Sequence, residues 1–383
     1  MDYPKIDIPQ FNFDSPLTNL VIRLDHLRTK QLTGTTPAPV FFDLKRLFHI
    51  LESVQSARIE GNRTTIAEII DSRIEKKPVG NDEQFREIEN IEKALQFIDE
   101  NVIDFSINRL FISHLHKLVV DGLTREGSST PGQYRKGAIA IQNSPHQPPD
   151  GIHVQDLMDE LVVFIHKEDD KKYDLLKIAI AHHRFTWIHP FDNGNGRMSR
   201  LITYAMLVKF GFNVDKSGRV LNPTGLFCTD RQKYYDMLGD ADVNGNAGMV
   251  NWCIYVLEGL VVEMEKIDKL ANYEYLSTHI LTPAIQYAQK VGSVSAEEYL
   301  ALKYAVDKSV LTAGGLKEVF PDYYPVKLSR FIADMKQKHF LLAYPNPNSK
   351  SYVMSFSQNK LLRYVARELM DKGFILSEDK ESL

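Results

Sequence analysis

His189-Pro190-Phe191-Asp192-Asn193-Gly194-Asn195-Gly196-Arg197-Met198-Ser199-Arg200 is the densest chemical signal in the chain. Its histidine has an ordinary pKa of about 6.5, which suits it to take a proton near neutral pH. Gly-Asn-Gly lets the backbone approach an anion closely and aim successive N–H groups at it. Those amides fall where a new helix begins, so the positive end of its dipole adds to the same site. Arg197 and Arg200 are three apart on that helix and share a face, from which both can fork onto phosphate oxygens. A base beside a polyphosphate cradle is the equipment of phosphoryl or nucleotidyl transfer, chemistry that needs positioning and charge neutralisation above all.

Working outward, the spacing predicts a mostly α-helical chain. Upstream of the motif, helices are expected near Leu17–Leu32, from Phe41 to a stop at Gly61, after Asn81 (a cap with Gln84 in the capping-box position), and near Asn108–Val120, His153–His166 and Tyr173–Trp187. Phe85, Ile88, Ile91, Leu95 and Ile98 form one apolar stripe. The motif helix should run from Gly196 to Phe210 and end at Gly211, and another should span Val250–Leu270. GQYRKGAIAIQ, beginning at Gly132, alternates and carries β-branched residues, which predicts a short β-hairpin in the helical domain.

The 383 residues are 43% hydrophobic and 25% charged, with a formal net charge of -4, which speaks against wholesale nucleic-acid or membrane binding. Cys228 and Cys253 lie far apart without metal-ligand spacing. MDYPKIDIPQF lacks a basic region followed by an apolar run, and no unbroken apolar stretch approaches the roughly 18 residues of a membrane span. A soluble cytoplasmic protein with no membrane partner is the expectation.

The motif resembles that of the Fic family, H-x-F-x-(D/E)-G-N-G-R-x-x-R, and the similarity extends over roughly residues 88 to 260. PGQYRKGAIAI at Pro131–Ile141 is similar to the family's target-binding flap, His146-Gln147-Pro148-Pro149 to the loop after it, and Asp174–Ile188 to the helix leading into the motif. The resemblance implies a Fic-type helical bundle acting as a protein adenylyltransferase. His189 would deprotonate a Ser, Thr or Tyr hydroxyl of a target protein, which attacks the α-phosphate of ATP and expels pyrophosphate. Phe191 would anchor the loop. Gly194, Asn195 and Gly196 would form the anion hole, with Arg197 on the β-phosphate region and Arg200 on the γ-phosphate. Tyr234-Tyr235 resembles a tyrosine pair beside the adenine pocket, with Tyr235 nearer the base. The family's acid for magnesium falls on Asn193, while the acid here stands one place earlier at Asp192. Either Asp192 reaches in, or Mg2+ binds weakly, or the substrate or activity differs.

Ser56-Ala57-Arg58-Ile59-Glu60-Gly61-Asn62 resembles the family's inhibitory motif, (S/T)-x-x-x-E-(G/N). Ser56 and Glu60 share a helix face, and the resemblance pairs Glu60 with Arg200, where it blocks seating of the γ-phosphate. The expected layout is an N-terminal region over 1–80 with the inhibitory helix at about 41–60, a catalytic domain over 81–270, and a C-terminal winged-helix-like domain over 271–383. That last reading comes from helices at Ser295–Val306, Gly314–Phe320 and Pro325–Lys338, followed by a ribbon from LLAY and SYVMSF. Eight basic against six acidic side chains over residues 293–357, a net of +2, is a thin footprint for DNA, so docking of a protein or a second copy as a homodimer is favoured over DNA. The rival activities are removal of AMP by the same site and a nucleotide-binding regulator without turnover. Transfer of the γ-phosphate is disfavoured because Gly194 and Gly196-Arg197 resemble the family's nucleotidyl-transferring pattern rather than its toxin variant with Ala and Lys.

Overall fold

The computed structural model describes residues 3–29, 35–75, 82–141, 144–212 and 224–374. Its helices are α1 (Pro16–Thr29), α2 (Ala38–Ile59), α3 (Ile66–Glu75), α4 (Glu83–Asn101), α5 (Arg109–Val119), α6 (Val154–His166), α7 (Asp174–Ile188), α8 (Asn195–Lys209), α9 (Thr224–Cys228), α10 (Arg231–Val243), α11 (Gly245–Ala271) and α12 (Tyr273–Leu276). A π turn at Ser277–Leu281 joins α12 to α13 (Thr282–Lys290). The C-terminal part then runs α14 (Ala296–Lys308), β1 (Leu311–Thr312), α15 (Ala313–Val319), α16 (Pro325–Gln337), β2 (Leu341–Ala343), β3 (Ser351–Met354) and α17 (Leu361–Asp371). The fold is mostly helical with one small antiparallel sheet of order β1-β3-β2.

Side-chain caps fix where many helices start. Asp82 accepts from the Gln84 amide, Asn108 from Phe111, Asp230 from Lys233, and Ser295 and Glu298 form a reciprocal capping box. The cap expected at Asn81 lies outside the described residues. Gly211, at φ 80°, ends α8 in the left-handed conformation that glycine enters without a Cβ penalty.

α7 and α8 lie at the centre, buried on nearly every side, and pack on each other, with α6, α11 and α4 around them. α2 is buried over most of its length against α4, α9, α3 and α8. α11 is the one described helix long and apolar enough to cross a membrane; half of its apolar window is buried, and it packs on α10, α1 and α7, which accounts for its composition.

Two expectations change. No strand forms over residues 132–141, so the hairpin does not appear: the segment is held instead through Arg135, whose amide donates to the Pro190 carbonyl at 2.9 Å and whose guanidinium bonds to neighbouring carbonyls. In the C-terminal part the ribbon gains a third strand, β1, which pairs with β3 through Leu311 opposite Tyr352. On α16, Leu328, Ile332 and Met335 face inward.

Candidate active site

α7 ends at His189, whose φ of 52° and ψ of 61° turn the chain sharply out of the helix. The turn lowers Phe191 into the core, where its ring stacks on His116 at 3.7 Å with planes 3° apart. Asn195 closes the loop from the other end: its Oδ1 accepts from the Phe191 amide and its Nδ2 donates to the Phe191 carbonyl, both at 2.9 Å. The side chain of Asn195 is therefore spent on holding the loop, and only its backbone amide remains for an anion.

Gly194, at φ 77°, starts α8. The first helical bond is from the Met198 amide to the Gly194 carbonyl, so the amides of Asn195, Gly196 and Arg197 precede the ladder at the positive end of the helix. The Glu60 carboxylate lies directly over them. A Cβ on Gly196 would run into Glu60 Oε1 and approach Arg200 Nη1 to 3.3 Å, so only glycine admits an anion at this depth.

Arg200, 2% exposed, donates from Nη2 to Glu60 Oε1 at 2.7 Å and to the Ser56 carbonyl at 3.0 Å, and from Nε to the Ser56 hydroxyl at 2.8 Å. Burial would raise the Glu60 carboxyl, but the Arg200 guanidinium prevails and holds it below the usual range. The sequence places Ser56 and Glu60 one turn apart, and the structure brings both to the same arginine.

Arg197 takes different partners. It is fully buried, pairs through Nη1 with Glu87 at 2.9 Å, and donates from Nη2 to the Glu126 carbonyl at 2.9 Å. A Cβ on Gly194 would stand 3.6 Å from Arg197 Nη2, so Arg197 lies against the glycine turn. Burial pushes the Glu87 carboxyl up in spite of Arg197.

His189 donates through Nδ1 to the Thr186 carbonyl at 3.2 Å, which leaves the Nε2 lone pair to accept a proton. Burial draws its pKa down to about 4, against the Thr186 hydrogen bond that raises it, so the ring is neutral at physiological pH. Its carbonyl accepts from Arg135 Nε at 2.8 Å, and the same guanidinium reaches the carbonyls of Gly137, Pro149 and Ile188. Arg135 thus fixes the segment beside the imidazole without a β-ladder.

The two candidate metal ligands are otherwise engaged. Asp192 accepts from the Ser128 hydroxyl and from the amide and hydroxyl of Ser129; burial raises its carboxyl, but these bonds outweigh it and hold the group below the usual range. Asn193 Oδ1 accepts from the Gly194 amide at 2.7 Å. Among the described residues no three His, Cys, Asp or Glu side chains converge as a metal cage. In this arrangement the side-chain oxygens of Asp192 and Asn193 accept hydrogen bonds from within their own loops.

Tyr234 is buried and hydrogen-bonded to His182 Nε2 at 2.9 Å, whereas Tyr235 is 41% exposed, with the Arg231 guanidinium 5.5 Å from its ring centroid. Several participants escaped the sequence reading. His116 lies on the inner face of α5 at core spacing, yet its Nδ1 accepts from the Gly132 amide and its Nε2 donates to the Asn193 carbonyl. Glu87, Glu126, Ser128 and Ser129 carry no local signal; only the pairing of a buried arginine demands some such partners.

Residues 106–207 match the model of the Fic/DOC family. A protein adenylyltransferase Fic from Nematostella vectensis is 26% identical over 204 residues, 49% of this chain and 42% of that protein. A probable protein adenylyltransferase from Aquifex aeolicus (strain VF5) is 27% identical over 196 residues, 51% of this chain and 50% of that one. The chain thus spans half or less of the length of these curated relatives. The crystal structure of a Fic family protein from Desulfovibrio desulfuricans G20 shares the fold with a TM-score of 0.58 at 18% identity, over 91% of this chain and 98% of that one.

Proposed function

We propose that the chain, whose residues 106–207 match the Fic/DOC family model, is a protein adenylyltransferase that transfers AMP from ATP to a hydroxyl side chain of a protein and is restrained by Glu60. The observation that carries the reading is a neutral imidazole with a free Nε2 at one end of a glycine turn, whose other end opens a helix beneath a buried arginine.

In the reaction, Nε2 of His189 takes the proton of the target hydroxyl as its oxygen bonds to the α-phosphorus. The bond from that phosphorus to the bridging oxygen of the β-phosphate breaks, and pyrophosphate departs. The amides at the start of α8 and the Arg200 guanidinium neutralise the charge that builds on the phosphates. Arg197 lies against the turn, keeping it in place, and Tyr235 borders the adenine. The segment after Gly132 offers its backbone to the target.

With Glu60 on Arg200, the terminal phosphate has no fork to occupy, and the resting state is inhibited. Residues 271–383 form the third part of the layout, a winged-helix-like module that docks a protein or a second copy; the order helix–strand–helix–helix–strand–strand supports this. ATP and the protein target are the partners, and the compartment is the cytoplasm.

Mass spectrometry of the purified chain and of candidate targets after incubation with ATP tests the chemistry. The expected product is heavier by one adenylate on a hydroxyl residue. A gain of a single phosphate, or no adduct with Glu60→Gly, defeats the reading.

A further inference from the structure

We propose that Asp43 is a positioning residue for the brake: it latches the inhibitory helix α2 to the C-terminal module, so that the seating of the module determines whether Glu60 stays on Arg200. The proposal rests on reading Glu60 as the inhibitor.

Asp43 lies near the start of α2 and is 1% exposed. A carboxylate so buried is costly unless its lone pairs are filled. Here they are filled from three consecutive residues just past β3. Oδ2 accepts from the Ser355 hydroxyl at 2.7 Å and from the Phe356 amide at 2.8 Å, with the Ser357 amide at 3.4 Å, and Oδ1 accepts from the Ser357 hydroxyl. Arg46 on the same helix adds a hydrogen bond to the Ser357 hydroxyl at 3.3 Å.

This anchor is stiff. The Ser355 amide donates to the Phe340 carbonyl at 2.9 Å, Phe356 is fully buried, and Asn359 ties the Ser355 carbonyl to that of His339. A second strut runs from α17 to α3 through the ion pair of Arg363 with Asp71 at 3.3 Å.

At its other end, α2 presents Ser56 and Glu60 to Arg200. Asp43 and Glu60 are 17 positions apart on α2 and its cap, about 25 Å at 1.5 Å per residue. The helix between them is continuous and buried on most sides, so it moves as a rod rather than by local bending. One rod is thus bolted at one end by an anion to the C-terminal module and at the other by a cation of α8. Two sites joined by one element that both hold is the physical basis of coupling.

The test uses the full chain with Asp43→Ala, Asp43→Asn and the double variant Ser355→Ala/Ser357→Ala, each alone and with Glu60→Gly. Two quantities are read: incorporation from labelled ATP and affinity for a fluorescent ATP analogue. Asp43→Ala and the serine double variant are expected to raise incorporation about five-fold or more, and to tighten nucleotide binding. Neither should add anything once Glu60 is gone. Asp43→Asn, which keeps an acceptor oxygen, should fall between. Should Asp43→Ala fail to fold, the serine variant carries the test. Folded variants that label and bind like wild type, while Glu60→Gly is active, overturn the latch. So does a rise of equal size in the Glu60→Gly background. If Glu60→Gly itself never labels, the adenylyl-transfer reading is what fails; nucleotide affinity then decides the latch alone, tighter binding in its favour and unchanged binding against it.

Discussion

On the proposed reading, removing the Glu60 carboxylate should raise AMP transfer, and the structure sets the size of the effect. Glu60→Gly deletes one charge-assisted hydrogen bond to Arg200 at 2.7 Å and vacates the space over Gly196. It costs α2 little, because Glu60 sits at the C-cap, just before Gly61 in the left-handed region at φ 100°. Arg200 itself stays put, since Ser56 still accepts from Nε and Nη2. A charged hydrogen bond contributes about 1.5–3 kcal/mol. A triphosphate that no longer competes with it should gain on the order of 10- to 100-fold in apparent affinity and in transfer rate at subsaturating ATP. The assay is the initial rate of label incorporation against ATP concentration for wild type, Glu60→Gly and Glu60→Gln. Glutamine keeps the volume and one hydrogen bond without the charge and should be intermediate. Equal curves for wild type and Glu60→Gly, in a preparation where His189→Ala is silent, would refute the reasoning. Acid should not mimic the mutation: Arg200 holds the Glu60 carboxyl below its ordinary range, so it stays ionised well under neutral pH.

In the Glu60→Gly background, transfer should stay flat from pH 8 to 6 and fall only as His189 takes up a proton, because burial holds its pKa at about 4; a limb centred near the ordinary histidine value of about 6.5 contradicts this. Asn195→Ala severs both bonds to the Phe191 backbone and should cost about 1–3 kcal/mol of stability, measured by denaturant unfolding, with a larger fall in kcat than in ATP affinity; an unchanged midpoint would show that the clamp is idle. Asp192→Asn should loosen the Ser128–Ser129 turn, seen as faster proteolysis there, and leave the magnesium concentration for half-maximal rate unmoved; a large shift in that concentration would make Asp192 a metal ligand.

Much of this was legible in the sequence, and the reason is that its signals are local. A histidine, a glycine turn and two arginines within one helix start are set by near neighbours, as is the i, i+4 pair Ser56 and Glu60. Helices with a cap and a clear stripe, such as α4, α5 and α14, were readable to within a few residues. α3, α9, α10, α12, α13 and α17 were missed. α3 and α17 pack on each other and on α2 and α13, a partnership invisible from inside either segment. The hairpin at 132–141 was misread because alternation shows what a strand would expose, not whether a partner lies within reach. What holds the segment is its own Arg135, whose amide bonds to the Pro190 carbonyl and whose guanidinium bonds to four carbonyls.

The motif's two arginines show where local reading ends. On sequence they are equivalent, three apart on one helix, both able to fork onto phosphate. In the fold they part company: Arg200 reaches up to the space over Gly196 and meets Glu60, while Arg197 lies against the turn, locked by Glu87 and Glu126. Glu87 is in turn held by Asn62, two residues past Glu60, at 2.9 Å. The segment ending α2 therefore reaches both arginines, one directly through Glu60 and one through Asn62 and Glu87. The Asn62 amide donates to the Ala57 carbonyl at 3.1 Å, so Asn62 travels with the end of α2. A swing of the helix about the end that carries Asp43 would therefore take Glu60 off Arg200 and pull on the Glu87 support of Arg197 together, which is why the end that carries Asp43 matters as much as the end that carries Glu60.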